Sequence, residues 1–583
     1  MSAPASPPPR LLLHEDEHLL VVCKPAGWNT HAPAPFAGEG LYDWLRHRKP
    51  RWASLSILHR LDKDTSGVLV FGKTTLANRS LTEQFTARLV RKKYLLVTDR
   101  PVERKTFTVT SDIARAGERY ISRPGGEAAE TVFRVINTSG RFTEVEAEPH
   151  TGRTHQIRVH ASENGFPVLG DTLYGGSAAA RLHLHSCELS FAHPETGEAV
   201  TFRAAPEFQI DPRVALRAAL IDPAATNAFR LLHGAADARP GCYVDCLGPA
   251  VLWQGENAPD ENVAREVLKL AEEARTGGAF RLLPLPARNE RGEGRGEGLS
   301  LNERPSSPLP SPPSGAGEGV RAPAPQPSLY FKALNRHVRA ARSEETSPRL
   351  LSGPPVPERF EILENGVRFE LSFSEGYSVG LFLDQRDNRR RFLVNHVAAE
   401  FTLFEDGAAG REVLNTFAYT CGFSVCAAKA GARVTSLDLS KKYLEWGKRN
   451  FALNGIDPAA HDFIFGDAFD WMRRLAKKGR AFDAIILDPP TFSQSKESGV
   501  FRAEKDYGKL VTTALPLLKP GGVLLASTNA ADLLPERFIE CIEVAIKSAG
   551  RRVTQRHYVP QPPDFPVTRD EPAYLKTAWL RVK

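Results

Sequence analysis

The sequence predicts a multidomain protein: an α+β unit with a mixed, mostly antiparallel sheet, a small α/β central unit, and an α/β unit with a doubly wound, mainly parallel sheet. Three observations carry this expectation. Residues 11–210 are dense in short strand-like runs with little helix between them. From about residue 410, strand and helix patterns alternate regularly. Between these regions lies a composition break at 287–327, with eight Pro, seven Gly and no aromatic residue.

In the first unit the runs are HLLVVCK (18–24), GVLVFGK (67–73), KKYLLVT (92–98), FTEVEAE (142–148), RLHLHSCELSF (181–191) and AVTFRA (199–204), with 74–89 reading as helix. Short β-branched and aromatic runs bounded by turn residues are strand signals. Residues 1–10 are Pro- and Ala-rich and are expected to fray. The central unit is expected over 224–358, where ENVAREVLKLAEEAR (261–275) reads as helix. The segment 287–327 interrupts it. Such a composition buries too little apolar surface to offset its ordering entropy, so it is expected to be a disordered insertion.

The last unit is expected over 359–583. EVLNTF (412–417), RVTSLDL (433–439), DFIFG (462–466), FDAIILD (482–488) and GVLLAST (522–528) read as strands. SVCAAKAG (424–431), KKYLEWGKRNFALNG (441–455), DAFDWMRRLAKK (467–478) and a stretch around 503–518 read as the helices between them.

Composition bounds the rest. Apolar residues make up 42% and charged residues 25% of 583 residues, which excludes a fibrous chain, a coiled coil or general disorder. A net charge of +7 is mild for this length and does not by itself establish a nucleic-acid partner. Seven cysteines, sparse and odd in number, argue against a disulfide scaffold and fit a reducing cytoplasm. No apolar stretch approaches the ~20 residues that span a bilayer, and MSAPASPPPRLLLHEDEH lacks the layout of a secretory signal. A cytoplasmic protein without a membrane partner is expected.

Chemistry-bearing motifs cluster in the first unit. They are HRLDKDTSGVLVFGKT (59–74), RKKYLLVT (91–98) and HTGRTHQIRVHASENGFPVLGDTLYG (150–175), flanked by EDEHLLVVCKPAGWNTH (15–31) and LHLHSCELSFAHPETGE (182–198). Taken singly, Asp62 reads as a turn aspartate, Arg158 as a surface strand arginine and Tyr94 as core. Together and in this order, the segments resemble the RluA family of pseudouridine synthases. The resemblance implies that Asp62 is the carboxylate acting on the ribose–base unit. It implies that Arg158 is the basic partner holding Asp62 ionised in a dry pocket, and that Tyr94 is the aromatic that stacks on the target uracil. Arg60 would fill the gap left by the extruded base, whose extrusion costs a few kcal/mol. Asp64 reads as structural. No metal or cofactor is implied for this half. His150 and His155 are not read as a metal pair, since no further ligand stands at suitable spacing. Two basic runs, RHRKPRW (46–52) and RLVRKKY (88–94), each end in an aromatic, which suits phosphate contact with base stacking; a solvated face is the alternative.

In the last unit, VLNTFAYTCGFSVCAAKAGARVTSLD (413–438) lays out strand, small-residue turn, helix and a second strand ending in Asp438, 23 residues after Asn415. This is a nucleotide-type cofactor layout at the carboxyl ends of parallel strands, without G-x-G-x-x-G. Asp438 suits a ribose diol or a helix N-cap, and Asp467 ends the next strand, where an adenine amine could be met. ILDPPTFSQSK (486–496) carries Asp488-Pro489-Pro490 at the end of a fourth strand. With GLFLDQRDNRR (380–390), these segments resemble RlmI- and RlmK-type methyltransferases of large-subunit ribosomal RNA.

The resemblance implies a Rossmann-like class I fold with S-adenosylmethionine as cofactor, bound by Asn415, Phe417, Tyr419, Asp438, Asp467, Asp488 and Gln385. The stiff Asp488-Pro489-Pro490 turn would set backbone carbonyls at the methyl donor. Upstream, 229–254 resembles the small central domain of RlmI-like enzymes, with Cys242 and Cys246 as packing residues. RlmI-like cytosine enzymes carry a Cys after the fifth strand, where this chain has Asn529, as RlmK-like guanine-N7 enzymes do. Guanine N7 has an in-plane lone pair and needs no covalent catalyst, so a guanine-N7 methyltransferase is expected, with cytosine C5 as the alternative. Cys421 and Cys426 read as small packing residues.

The whole chain is thus expected to be a bifunctional RNA-modifying enzyme. Its partner would be RNA, large-subunit ribosomal RNA above all, with transfer RNA open for the synthase half. The rival readings are a catalytically silent RNA-docking half and a ribosome-assembly factor.

Overall fold

A computed structural model of the chain describes residues 11–276, 327–334, 347–375, 378–495 and 497–583. The tail 1–10 and the insertion 287–327, apart from Pro327, lie outside the described residues.

The first sheet has eleven strands. Its main path runs Leu12–Glu15, Leu19–Lys24, Ser66–Gly72, Leu184–Ala192, Arg91–Thr98, Phe142–Pro149, Glu127–Ser139, Thr106–Ala116 and Arg119–Ser122. Every junction on this path is antiparallel except that between Leu184–Ala192 and Ser66–Gly72. The central strand Ser66–Gly72 is buried along its whole length, which explains its unbroken apolar run. Toward the edge, Thr106–Ala116 alternates in exposure, as a strand with one wet face should. The helix expected at 74–89 forms over Thr75–Thr86, capped by the Thr74 hydroxyl, which accepts from the Ala77 amide at 3.2 Å. The motif HQIRVH is the helix Gln156–Glu163, not a strand.

The central sheet has five strands, Ala228–His233, Tyr243–Leu247, Ala250–Gly255, Ser328–Ala333 and Arg349–Ser352. Ala250–Gly255 and Ser328–Ala333 are parallel, and the helix Glu261–Thr276 lies between them in the chain. Parallel strands require a crossover, and this crossover hosts the Pro- and Gly-rich segment.

The third sheet has seven strands in the order Asp462–Phe465, Arg433–Asp438, Glu412–Thr416, Phe482–Leu487, Leu518–Thr528, Lys576–Val582 and Val553–Val559. The first five are parallel and the last two antiparallel. The order reverses between Glu412–Thr416 and Phe482–Leu487, and a crevice opens there at the strands' carboxyl ends. The helix expected at 503–518 ends at Ala514. Leu515–Leu517 tightens into a 3₁₀ turn around Pro516, which cannot continue the hydrogen-bond ladder, and Leu518 already starts the next strand.

The halves share apolar core. One cluster joins Leu20, Trp28, Trp44 and Phe71 of the first unit to Leu231, Val244 and Trp253 of the central sheet, with Cys246 buried and Cys242 packed against it. A second contact is polar. Helix Leu41–Arg48 lies against helix Arg386–Val394, where Asp387 accepts from Arg48 at 3.2 Å and from the Trp44 indole at 3.3 Å. Arg390 donates to the carbonyls of His47 and Arg48, and His396 bonds the Arg46 carbonyl at 2.9 Å. The basic run 46–52 is therefore largely taken up within the chain: Arg48 pairs with Asp387, 339 residues away, Arg46 donates to the Ala53 carbonyl at 2.9 Å, and Arg51, still exposed, is bound by Glu15 at 2.7 Å.

Candidate active sites

In the first unit the loop carrying Asp62 is pinned from both sides by the segment Lys24–Thr30. The buried Lys24 ammonium donates to the carbonyls of Pro25, Trp28 and Lys63 at 3.0, 2.7 and 2.9 Å, one for each proton. The Thr30 hydroxyl donates to the Leu61 carbonyl at 2.8 Å and accepts from its amide at 3.2 Å. His59 accepts the Val70 amide at 3.2 Å, a role only the neutral ring can play, and burial pushes its imidazole down to about 3.

Asp62 opens into a cavity of about 870 Å³ that Arg60, Lys92, Tyr94, Arg153 and Arg158 also line. A carboxylate oxygen of Asp62 lies 3.7 Å from Arg158 and 3.8 Å from His155. Arg158 does not spend its strongest bonds on Asp62. Its fork closes on Asp171, at 2.7 and 2.8 Å, and its guanidinium sits 4.9 Å over the Tyr174 ring. His155, in a left-handed conformation at φ +57°, bonds the Tyr174 hydroxyl at 2.9 Å. Tyr94 is held in Arg91–Thr98 beside Ser186; burial and the Asp62 charge push its phenol above its usual range, so it stays protonated. Arg60 is exposed at the cavity and has no ion-pair partner among the described residues. The structure thus brings together Asp62, Arg60, Tyr94 and Arg158. The expected dry pocket is instead open, since Asp62 keeps 29% of its side chain exposed. Lys92 and Arg88 of the second basic run line this cavity, whereas the first run does not.

Sequence reasoning missed Lys24 and Asp171. Both stand inside the quoted motifs, in CKPAGW and GDTLYG. Their types signal a buried charge to be satisfied, but their partners are set only by the fold.

In the third sheet a cavity of about 520 Å³ lies at the strand ends, lined by Gln385, Phe417, Tyr419, Asp438, Asp467 and Asp488, with Pro489 and Pro490 beside them. Asp438 accepts the amides of Tyr419 and Ser440 at 2.8 Å each, and burial raises its carboxyl. Phe417, Tyr419 and Cys421 all take positive φ, at 56°, 51° and 64°. This alternation curls the backbone around the end of Glu412–Thr416 without glycines, at a cost of about 1–2 kcal/mol per residue. Asp467 caps helix Ala468–Lys477 through the Asp470 amide at 2.9 Å and accepts the Ser498 hydroxyl at 2.6 Å. Burial works against its charge, yet these donors and Ser495 hold its carboxyl below the usual range.

Asp488 is different. Burial, joined by nearby Asp384, pushes its carboxyl up to about 7, while Gln385 donates to it at 3.2 Å. Gln385 also donates to Ser527 at 2.8 Å and accepts from Asn388 at 2.7 Å, so its orientation is fixed. Asp384, which receives the Tyr574 hydroxyl at 3.0 Å, is a lining residue the sequence reading passed over.

One expected cofactor residue is displaced. The Asn415 side chain turns into the core, donates to Ser424 at 2.9 Å and does not line the cavity. Successive residues of a strand face opposite sides, and Asn415 is on the face that packs against the helix Gly422–Lys429. Asn529 lines the cavity. Cys421 is fully buried, its sulfur packed on Gly447, and burial pushes its thiol up to about 12. The donor set fits S-adenosylmethionine: carboxylates for a ribose diol and a cation, aromatic walls, and room for a nucleoside-sized body.

Among the described residues, Glu39, His47 and His557 form one group with metal-ligand spacing, but Glu39 is bound by His47 at 2.6 Å and faces Arg391 at 4.0 Å. No helix among the described residues is long and apolar enough to cross a membrane.

Comparison with known proteins divides the chain in the same way. Residues 18–163 match the family described as RNA pseudouridylate synthase, and residues 327–581 that described as S-adenosylmethionine-dependent methyltransferase. A ribosomal RNA large subunit methyltransferase of Deinococcus radiodurans is 35% identical over 258 residues, 43% of this chain and 59% of its own. Ribosomal RNA large subunit methyltransferase K of Neisseria meningitidis serogroup B is 38% identical over 186 residues, 31% of this chain and 49% of its own. The solved structure of human RNA pseudouridylate synthase domain containing 1 is 26% identical, covering 35% of this chain and 86% of that one at a TM-score of 0.30. The chain spans about half to three fifths of the length of these curated relatives.

Proposed function

We propose that this chain, which joins a domain of the RNA pseudouridylate synthase family to one of the S-adenosylmethionine-dependent methyltransferase family, is a bifunctional RNA-modifying enzyme of the cytoplasm. It isomerises uridine in RNA and methylates a base of large-subunit ribosomal RNA. One observation carries the reading. Two separate cavities of one chain each hold a carboxylate set suited to one of these reactions, Asp62 in the first and Asp438 with Asp488 in the second.

In the synthase half the C1′–N1 bond breaks with its electron pair left on N1, the uracil turns, C1′–C5 forms, C5 loses a proton and N1 gains one, so that the product is an isomer. Asp62 acts at the ribose–base unit, Arg158 and His155 flank its charge, and Tyr94 offers a protonated phenol and a stacking face. Arg60 is free to enter the space the base leaves. Ribosomal RNA is the substrate; transfer RNA is the alternative for this half.

In the methyltransferase half, Asp438 holds a ribose diol, Asp467 faces the adenine side, and Asp488 with Pro489 and Pro490 frames the reacting base. The cofactor supplies an electrophilic methyl group when bound. Guanine N7 is the favoured acceptor because its lone pair needs no thiolate, and no cysteine is among the lining residues.

Mass-spectrometric mapping of modified bases in RNA from a strain lacking the gene tests the assignment. Loss of a pseudouridine and a 7-methylguanosine is expected; an absent 5-methylcytosine would overturn the guanine reading. Asp62→Ala in the full chain is expected to abolish pseudouridine alone, and Asp488→Ala methylation alone.

A further inference from the structure

We infer that the segment 560–573 of the methyltransferase half forms the far wall of the synthase's RNA path, with Arg569 and Lys63 contacting the phosphates of the strand that leaves the Asp62 site. The inference rests on the synthase reading above, and it adds a binding element from outside the synthase domain.

The segment links the strands Val553–Val559 and Lys576–Val582, and it leaves its own sheet. Two anchors hold it, Asp564 buried and Glu571 half-buried. Asp564 is gripped by the Arg386 fork at 2.8 and 2.6 Å and accepts the Arg230 amide at 3.0 Å, while its carbonyl receives Arg217 at 2.9 Å. Glu571 accepts the Ala235 amide at 2.9 Å and the Tyr243 hydroxyl at 2.7 Å. Between the anchors the segment closes on itself through Thr568 and Glu571, at 2.9 Å. It also packs on the synthase loop after Thr30, where a Cβ at Gly38 would come within 3.3 Å of Val567, and in the strand before it Tyr558 meets Phe36 edge-on at 4.8 Å. Its position is therefore fixed by both halves.

What this position lines is a second cavity, of about 1110 Å³, continuous with the synthase cleft. The two share Asn29, Asp62, Lys63, His155 and Arg158. The charge pattern along it decides what it suits. Asp171, Asp211 and Asp237 are each taken up by an arginine fork, from Arg158, Arg213 and Arg217, and Glu39 by His47, which leaves the exposed Asp64, next to Lys63, as the lining carboxylate without an ion-pair partner among the described residues. Lys63 and Arg569 are exposed and have no ion-pair partner among the described residues. Two uncommitted cations beside an open groove that begins at a base-handling carboxylate fit a phosphodiester backbone. A flexible strand entering the cleft needs such positioning contacts, which carry affinity and no sequence information.

The test uses the full chain with Arg569→Glu, Arg569→Lys and Lys63→Glu. Binding to large-subunit ribosomal RNA from a gene-deleted strain is measured by filter retention over a salt series. Tritium release from the same RNA labelled at uridine C5 is followed in parallel. Arg569→Glu and Lys63→Glu are each expected to weaken RNA binding by about tenfold and to flatten the salt slope by about one, while Arg569→Lys stays near wild type. Unchanged S-adenosylhomocysteine binding by Arg569→Glu reports an intact fold. Arg569→Glu that binds RNA as tightly as wild type, with the same salt slope, overturns the inference. A wild type that binds RNA but releases no tritium sinks the synthase reading instead, and the binding comparison still decides this one.

Discussion

Asp387 and Arg48 close a 3.2 Å ion pair between the two halves of the chain, and the pair is nearly out of water, with side-chain exposures of 7% and 19%. Burial opposes the Asp387 charge, but Arg386, Arg48, Arg390 and Arg391 around it hold its carboxyl at about 2. Asp387→Ala would take from Arg48 its ion-pair partner among the described residues and leave Arg390 with carbonyl partners, while Arg386 keeps Asp564 and Arg391 keeps Glu39. A loss of about 3–5 kcal/mol is expected in urea denaturation, with most of it recovered when Arg48→Met and Asp387→Leu are combined. The folded value lies below the unfolded 3.8, so this stabilisation is complete above about pH 4 and drains as pH falls toward 2. Equal urea midpoints for Asp387→Ala and wild type would show that the seam carries no stability.

Arg158 is aimed at Asp62 by another residue. Asp171 holds its fork at 2.7 and 2.8 Å, leaving one nitrogen 3.7 Å from Asp62. Asp171→Asn keeps the shape but loses the second charged acceptor. A fall in kcat of about 10²-fold is expected, with KM for RNA changed far less, because a misaimed group costs in the transition state. Asp171→Glu should recover part of it. A variant whose only defect is a lower melting temperature would reduce Asp171 to a packing role.

What could be read from sequence follows how local each signal is. Apolar runs such as GVLVFGK and FDAIILD mark strands because burial acts on neighbours in the chain, and the sheet built from 410 onward has the expected alternation. The cluster of Asp62, Tyr94 and Arg158 was legible because three motifs had to meet for any one of them to matter. The role of RHRKPRW was not. Its charges look solvent-bound until Asp387, 339 residues from Arg48, is placed beside them. Asn415 does not line the cavity for a related reason: which helix a strand residue packs against is a tertiary fact, and Ser424 decides it. The left-handed backbone at Phe417, Tyr419 and Cys421 leaves no compositional trace, since none of the three is glycine.

Asp488 should make cofactor affinity depend on pH in one direction only for the charged form. Its carboxyl, at about 7, is half-protonated near neutrality because burial disfavours the anion. A sulfonium seated nearby favours the anion, so binding S-adenosylmethionine should release a proton and tighten as pH rises from 6 to 8. The neutral thioether of S-adenosylhomocysteine gains nothing from the charge, so its affinity should stay flat over the same range. Without ligand the sign reverses: the native state holds a proton that the unfolded chain has lost, so stability falls as pH rises from about 4 to 7. Calorimetry in two buffers of different ionisation enthalpy measures the proton count. Identical pH profiles for both ligands and for Asp488→Asn would place the charge sensing elsewhere.

The same cavity predicts how the base is attacked. Methylation of cytosine at C5 needs a thiolate that adds to C6 and is later expelled, and such a cysteine must touch the base. Cys421, the thiol nearest in sequence to the cofactor loop, has its sulfur packed on Gly447 and its thiol pushed up to about 12 by burial, so at neutral pH it is neither accessible nor ionised. Asn529 occupies the lining instead, with an amide that can bond a base edge but form no covalent adduct. Large-subunit RNA containing 5-fluorocytidine should therefore leave no protein–RNA adduct stable to denaturing electrophoresis. Cys421→Ser should keep methylation within about threefold of wild type, since the change alters packing and not the reacting atoms. Asn529→Ala should lower kcat/KM by about tenfold or more if its amide orients the purine, the cost of one lost hydrogen bond to a buried base edge. A trapped adduct, or an inactive but folded Cys421→Ser, would return the assignment to cytosine.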